Sequence, residues 1–198
     1  MDAIRSFVQT LLPFEFMQFD FMVNALLAIL LLTPLLGLLG TMAVNQQMAF
    51  FSDALGHSAL TGIGLGILLG VSSDLLAMLV FGIVWALLIC RIKQTGAAST
   101  DTIISVFSST SIALGLVVLS RGGAFAKYSS VLVGDVLSVA QGDLAALLAA
   151  LLGTIICWVF LFNPLLITSV NAPLAQSRGI RSKMTEYAFT MLVAVAVM

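Results

Sequence analysis

Between Phe21 and Val44 no side chain carries a charge. A Leu-rich stretch of that length exceeds the roughly 20 residues a helix needs to cross a hydrocarbon core. Further apolar runs occupy 75–92, 102–120 and 143–163, each bounded by short polar segments. Lipid offers no water to unpaired backbone N–H and C=O groups, so such runs fold as helices. Composition agrees: of 198 residues 61% are hydrophobic and only 9% charged, with a mean hydropathy of +1.16. A soluble domain carries about 25% charged residues. The fold class is therefore all-α, a polytopic helical membrane protein in contact with lipid. A net charge of -1 has nothing to attract a polyanion, which argues against nucleic acid as a partner. Cys90 and Cys157 stand in separate apolar runs and read as small buried residues, neither a disulfide nor a thiolate site.

In chain order, residues 1–20 mix Phe7, Phe14, Phe16 and Phe19 with Arg5, Glu15 and Asp20, and Pro13 interrupts any helix. This reads as an interfacial segment, aromatic side inward. The first span, 21–44, contains Pro34, which should kink it, and Gly37 and Gly40, which allow close packing. A second span covers 46–70. Ser72, Ser73 and Asp74 cap a third, 75–92, ending at Arg91 and Lys93. Ser99, Thr100 and Asp101 open a fourth, 102–120, whose hydroxyls (Ser105, Ser108, Ser109, Thr110, Ser111) are candidates to line a pathway. Residues 128–140 are too short to span and read as a re-entrant half-helix around Asp135. A fifth span, 143–163, stops at Asn163 and Pro164. A polar segment, 171–183, precedes an apolar run, 187–198, too short to cross, so further C-terminal helices are expected to be absent from this chain. Placing 91–100 and 169–183 in the cytoplasm puts Arg91, Lys93, Arg178, Arg181 and Lys183 there, against Arg5, Arg121 and Lys127 outside. That satisfies the positive-inside bias.

The second span is chemically unlike the others. It holds Asp53 and the protein's single histidine, His57. Four residues apart, both side chains leave one helical face a turn apart. Counted from residue 46, His57 lies on the order of 15–18 Å along the span, about half a bilayer deep. Ionisable groups at such depth usually face a polar cavity or a partner. An imidazole nitrogen and a carboxylate oxygen suit a transition-metal ion; the competing reading is a hydrogen-bonded pair holding helices in register. Asp101 reads first as a helix cap and second as a ligand. Asp135 is open between ligand and cap. Gly62, Gly66 and Gly70 form small-xxx-small pairs, for packing within the subunit or along a dimer seam. No Walker A context surrounds Lys93, Lys127 or Lys183, and one histidine gives hydrolase chemistry little to stand on. The chain is read as no enzyme.

The run Met48-Ala-Phe-Phe-Ser-Asp53-Ala-Leu-Gly-His57-Ser-Ala-Leu-Thr-Gly62 resembles the signature of the membrane (permease) subunits of zinc/manganese/iron ABC importers. Three further stretches match in order: Thr100 to Gly115, Val133-Gly134-Asp135-Val136-Leu137, and Phe162 to Ile180. Glutamines at 46 and 47 stand where the family usually has basic residues, and Asn171 where an acid is common. The resemblance implies a homodimeric pathway for Mn²⁺, Zn²⁺ or Fe²⁺ as transported ion, with no permanently bound cofactor. It further implies a cytoplasmic ATP-binding subunit and an extracellular metal-binding protein as partners, in the bacterial plasma membrane. It makes 171–183 the coupling segment, with Asn171, Leu174, Ala175, Arg178 and Gly179 at the ATPase contact and Leu174 and Ala175 as its apolar part. From the residues alone, a stand-alone secondary transporter or channel driven by a proton gradient remains the alternative, and a structural scaffold the third reading.

Overall fold

The computed structural model describes residues 19–121, 123, 125–128 and 134–198. The interfacial segment read over 1–20, save its last two residues, and residues 129–133 of the short element read over 128–140 lie outside them. Among the described residues the structure is all-helical. The long helices are α1 (Asp20–Asn45), α2 (Phe51–Leu69), α3 (Asp74–Lys93), α4 (Thr100–Arg121) and α6 (Gln141–Val170). Shorter ones are α5 (Phe125–Tyr128), α7 (Ala172–Ser177) and α8 (Ser182–Val197). By length and apolarity alone, α1, α3, α4 and α6 can cross a membrane.

The missing member of that set, α2, sits in the middle. It packs between α3 and α4, and from Ser58 to Gly64 every residue is buried. Glycines make the approach close. A Cβ on Gly62 would stand 2.8 Å from the Met78 Cα, and one on Gly66 would strike the Ala77 side chain. On the other side, a Cβ on Gly115 of α4 would lie 3.0 Å from the Thr61 hydroxyl. Gly70 has a different use: its φ of 71° makes it the left-handed C-cap of α2, a conformation glycine adopts without Cβ strain. Elsewhere α1 packs on α6, and α8 packs on α3, α6 and α2. One core, including Leu35, Phe51, Ile89, Leu165 and Phe189, joins these helices.

The helices share two polar ends. At the inner end, Lys93 Nζ donates to the Gln46 carbonyl at 2.9 Å and Gln46 Nε2 to the Leu165 carbonyl at 3.1 Å. At the outer end, the Tyr128 hydroxyl donates to Asp74 at 2.9 Å, and Asn24 Nδ2 to the Val139 carbonyl at 3.1 Å.

Four local readings change. The second span starts at Phe51, not residue 46, because α1 runs on to Asn45 and Gln47 turns the chain at φ 57°. The fifth does not stop at Pro164: α6 continues to Val170. Proline removes one donor there, whereas ending the helix in lipid would orphan a whole turn of carbonyls. Around Asp135 the described backbone forms an exposed 3-10 turn, Val136–Ser138, at the outer end instead of a half-helix. Cys157 is exposed, since α6 is a peripheral helix with few buried positions.

Candidate metal site

Ser52, Asp53, Gly56 and His57 form the one open stripe on the inner half of α2, whose remaining positions there are buried. The i, i+4 spacing puts His57 Nε2 3.4 Å from Asp53 Oδ1. That exceeds the 2.7–3.2 Å of a well-made N–H···O bond, so the two groups share a side without consuming one another. Their side chains are 28% and 64% exposed, respectively. They line an open cavity of about 480 Å³ together with Leu32 and Leu36 of α1 and Ala196 and Val197 of α8. Helix α2 supplies only about 9 Å of rise between Phe51 and His57. Measured along α1, however, Leu36 and Leu32 stand about 14 and 20 Å from Asn45. By that ruler the α1 side of the cavity lies about 14–20 Å along the bundle from the end of α1.

A second cavity of about 320 Å³ shares Leu36, Ser52 and Val197 with the first and continues past Gly40 to Ala43, Val44 and Ala49. It runs toward the inner end and is almost wholly apolar. Past Ser52 its lining carries no further side-chain ligand. Among the described residues no group of three or more His, Cys, Asp or Glu converges on one point. One chain thus brings two metal-ligating side chains to the cavity.

The other candidates lie elsewhere. Asp101 is exposed in the first turn of α4, where Ser99 caps by accepting from the Thr102 N–H at 3.3 Å. Asp135 caps the 3-10 turn, accepting from the Leu137 N–H at 3.0 Å. Neither lines the cavity. Nor does the hydroxyl stripe of α4: Thr110 bonds back to the Val106 carbonyl and Ser111 is buried against α2, its carbonyl accepting from Thr61. Thr110 thus satisfies its own helix backbone, whereas the Ser111 hydroxyl is buried between helices with no hydrogen-bond partner among the described residues.

At the inner end, Asn171 is the N-cap of α7, accepting from the Leu174 N–H at 3.0 Å. Gly179 closes that helix at φ 74°, and the Ile180 N–H reaches the Ala175 carbonyl at 3.0 Å. Ala175 is fully buried while Leu174 is about half exposed and Arg178 exposed. The apolar contact this segment can offer a partner is therefore Leu174, not Ala175. Two features escaped the sequence reading. Ser52, Gly56 and the end of α8 join the cavity, and Glu186 pairs with Lys93 at 2.6 Å. Glu186 had a signal: it is the only acid after Asp143.

The family model described as the ABC 3 transport family matches residues 18–198. This chain belongs to that family. Among curated members, the manganese import system permease protein ScaB of Streptococcus parasanguinis is 29% identical over 178 residues, covering 90% of this chain and 63% of its own length. The manganese transport system membrane protein MntC of Halalkalibacterium halodurans is 26% identical over 196 residues, 98% of this chain and 65% of its own. The high-affinity zinc uptake system membrane protein ZnuB of Haemophilus influenzae is 28% identical over 180 residues, 90% and 69%. This ABC 3 chain thus spans just under two thirds of the length of those manganese relatives. Its fold is that of PsaBC from Streptococcus pneumoniae, solved in complex with Fab, with a TM-score of 0.71 and 24% identity over 100% of this chain and 70% of that one.

Proposed function

We propose that this ABC 3 family chain is the membrane subunit of an ATP-driven importer of a divalent transition-metal ion, Mn²⁺, Zn²⁺ or Fe²⁺. The observation that carries the reading is the Asp53–His57 pair, two borderline ligands facing one cavity among apolar helices. Relatives named for manganese and zinc uptake support the same cargo. A carboxylate 64% exposed on its chain costs about 2.5–3.5 kcal/mol if turned to acyl chains at mid-bilayer. A wet passage, or a second copy presenting its own pair, removes that cost and completes a four-ligand site. Two copies forming one pathway is the arrangement that fits. A site with so few ligands per chain also releases its ion readily, as a transporter requires.

The inner end is cytoplasmic in this reading, with α7 and the exposed Leu174 and Arg178 docking on a separate ATPase subunit. An extracellular binding protein delivers the ion to the outer end. ATP-driven closure of the ATPases is transmitted through 171–183 and opens the route past Asp53 and His57 in alternation. Asp53→Ala and His57→Ala should each abolish metal uptake while the complex with the ATPase still assembles. Normal uptake by either variant would refute the site. Uptake that survives loss of the ATPase but collapses with the proton gradient would refute the ATP-driven reading.

A further inference from the structure

Helix α8 touches both the inner-end machinery and the metal cavity. Its first turn follows α7 after only the 178–181 connector, and its last turn places Ala196 and Val197 in the wall of the Asp53–His57 cavity. From Glu186 to Val197 the helix covers about 16 Å. Near its start it is held by a closed polar network. Lys93 Nζ, at the end of α3, lies 2.6 Å from Glu186 Oε1 and donates at 2.9 Å to the carbonyl of Gln46, the C-cap residue of α1. Glu186 Oε2 accepts from Gln94 Nε2 at 3.2 Å. The Lys93 and Glu186 side chains are only 15% and 16% exposed. A pair so sheltered is screened far less than a surface pair, and removing one partner leaves a poorly solvated charge. A rigid shift of the Ala196–Val197 wall against Asp53 would carry the start of α8, and with it Glu186, relative to Lys93.

We propose that Lys93 and Glu186 form a releasable latch between α3 and α8, and that its opening lets α8 carry movement of α7 to the wall of the metal cavity. The inference rests on the transport reading above and deepens it. Lys93 and Glu186 are positioning residues: they touch no ion and act through the helix they hold. A two-state contact of this kind is what transmits a coupling free energy between distant sites.

The test uses the permease assembled with its ATPase in lipid vesicles, with Mn²⁺ as the ion. Glu186→Gln and Lys93→Gln should each lower the Mn²⁺ imported per ATP hydrolysed by about fivefold or more, the low end of ordinary coupling factors. Mn²⁺ binding at Asp53 and His57 should persist. Lys93→Arg, which keeps the charge facing Glu186 and a donor for the Gln46 carbonyl, should hold the ratio near wild type, where a purely packing role would not tolerate the larger side chain. An unchanged ratio in Glu186→Gln and Lys93→Gln, or as large a fall in Lys93→Arg, overturns the latch. A second arm guards against variants that do not assemble. In a background lacking Cys90 and Cys157, Lys93→Cys and Glu186→Cys bridged by a short reversible thiol cross-linker should halt import until reductant is added. Import at the unbridged rate while bridged overturns the proposal. The wild type separates the two readings: no import of Mn²⁺, Zn²⁺ or Fe²⁺ defeats the transport function, whereas import with unaltered coupling in Glu186→Gln and Lys93→Gln defeats the latch alone.

Discussion

Gly62→Ala tests how the metal-site helix is held. A Cβ there would stand 2.8 Å from the Met78 Cα, 3.1 Å from the Phe81 Cβ and 3.2 Å from the Ala77 carbonyl oxygen. Two of those atoms are backbone, so no rotamer change relieves the contact and α2 must move off α3. Overpacking of this kind costs about 1–3 kcal/mol, offset by up to about 1 kcal/mol of improved helix propensity. With the full propensity gain the net loss is up to about 2 kcal/mol, which lowers Tm by up to about 8 °C for a chain of this size. Gly40→Ala is the internal control. Nothing lies within 4 Å of its added Cβ, so only the propensity gain remains and Tm should hold or rise slightly. The assay is thermal unfolding of the two purified variants in one detergent. If Gly40→Ala lost as much as Gly62→Ala, the close helix pair would not be α2 against α3. The glycines would then be serving a contact between chains.

Two further predictions concern the ends of the bundle. Lys127 donates to the Tyr128 hydroxyl at 2.9 Å and lies over its ring; chiefly through that bond its pKa is raised above the ordinary 10.5. A raised folded pKa means that bond is fully present below the ordinary value and lost as pH climbs through the folded one, but it joins neighbours in the chain; what ties α5 to α3 is the Tyr128–Asp74 bond. Tyr128→Phe should therefore raise protease nicking at Lys127 at neutral pH, and unchanged protection refutes the anchor. At the inner end, Asn171→Ala removes the cap of α7 and should cost about 1 kcal/mol, read as faster amide exchange at Leu174, while Asn171→Asp should exchange as wild type does.

The long helices were legible because a bilayer leaves an apolar run no other way to satisfy its backbone, and Ser73 was legible as the cap of α3, accepting from the Leu76 N–H. The Asp53 and His57 spacing was legible because helical period alone decides which side chains share a face. What escaped reading depended on partners distant in the chain. Whether Ala175 points in or out is decided by α6 and α8, which pack on α7, not by its own neighbours. The glycines could not name their partner, since small residues at that spacing suit any close helix. Glu186 meets Lys93 only because α8 folds back along α3. Pro164 misled because its local effect is real, yet the surrounding lipid outweighs it.

Of the five long helices, the one that carries the pair is the one not apolar enough to cross a membrane by itself. Asp53, His57 and the small polar residues of α2 leave it outside the set of helices apolar enough to cross, while its neighbours α3 and α4 both belong to that set. Its place is therefore set by packing. The glycine contacts with α3 and α4 bury the middle of α2, Ser58 to Gly64, and leave the Ser52–His57 stripe open on its inner half. Loosening those contacts should harm the site before it unfolds the bundle. On this argument Gly62→Ala lowers Mn²⁺ affinity at a temperature well below its Tm, because the carboxylate and imidazole no longer meet one cavity. Unaltered affinity in a variant whose Tm has fallen would show that the pair is held from the α1 and α8 side instead.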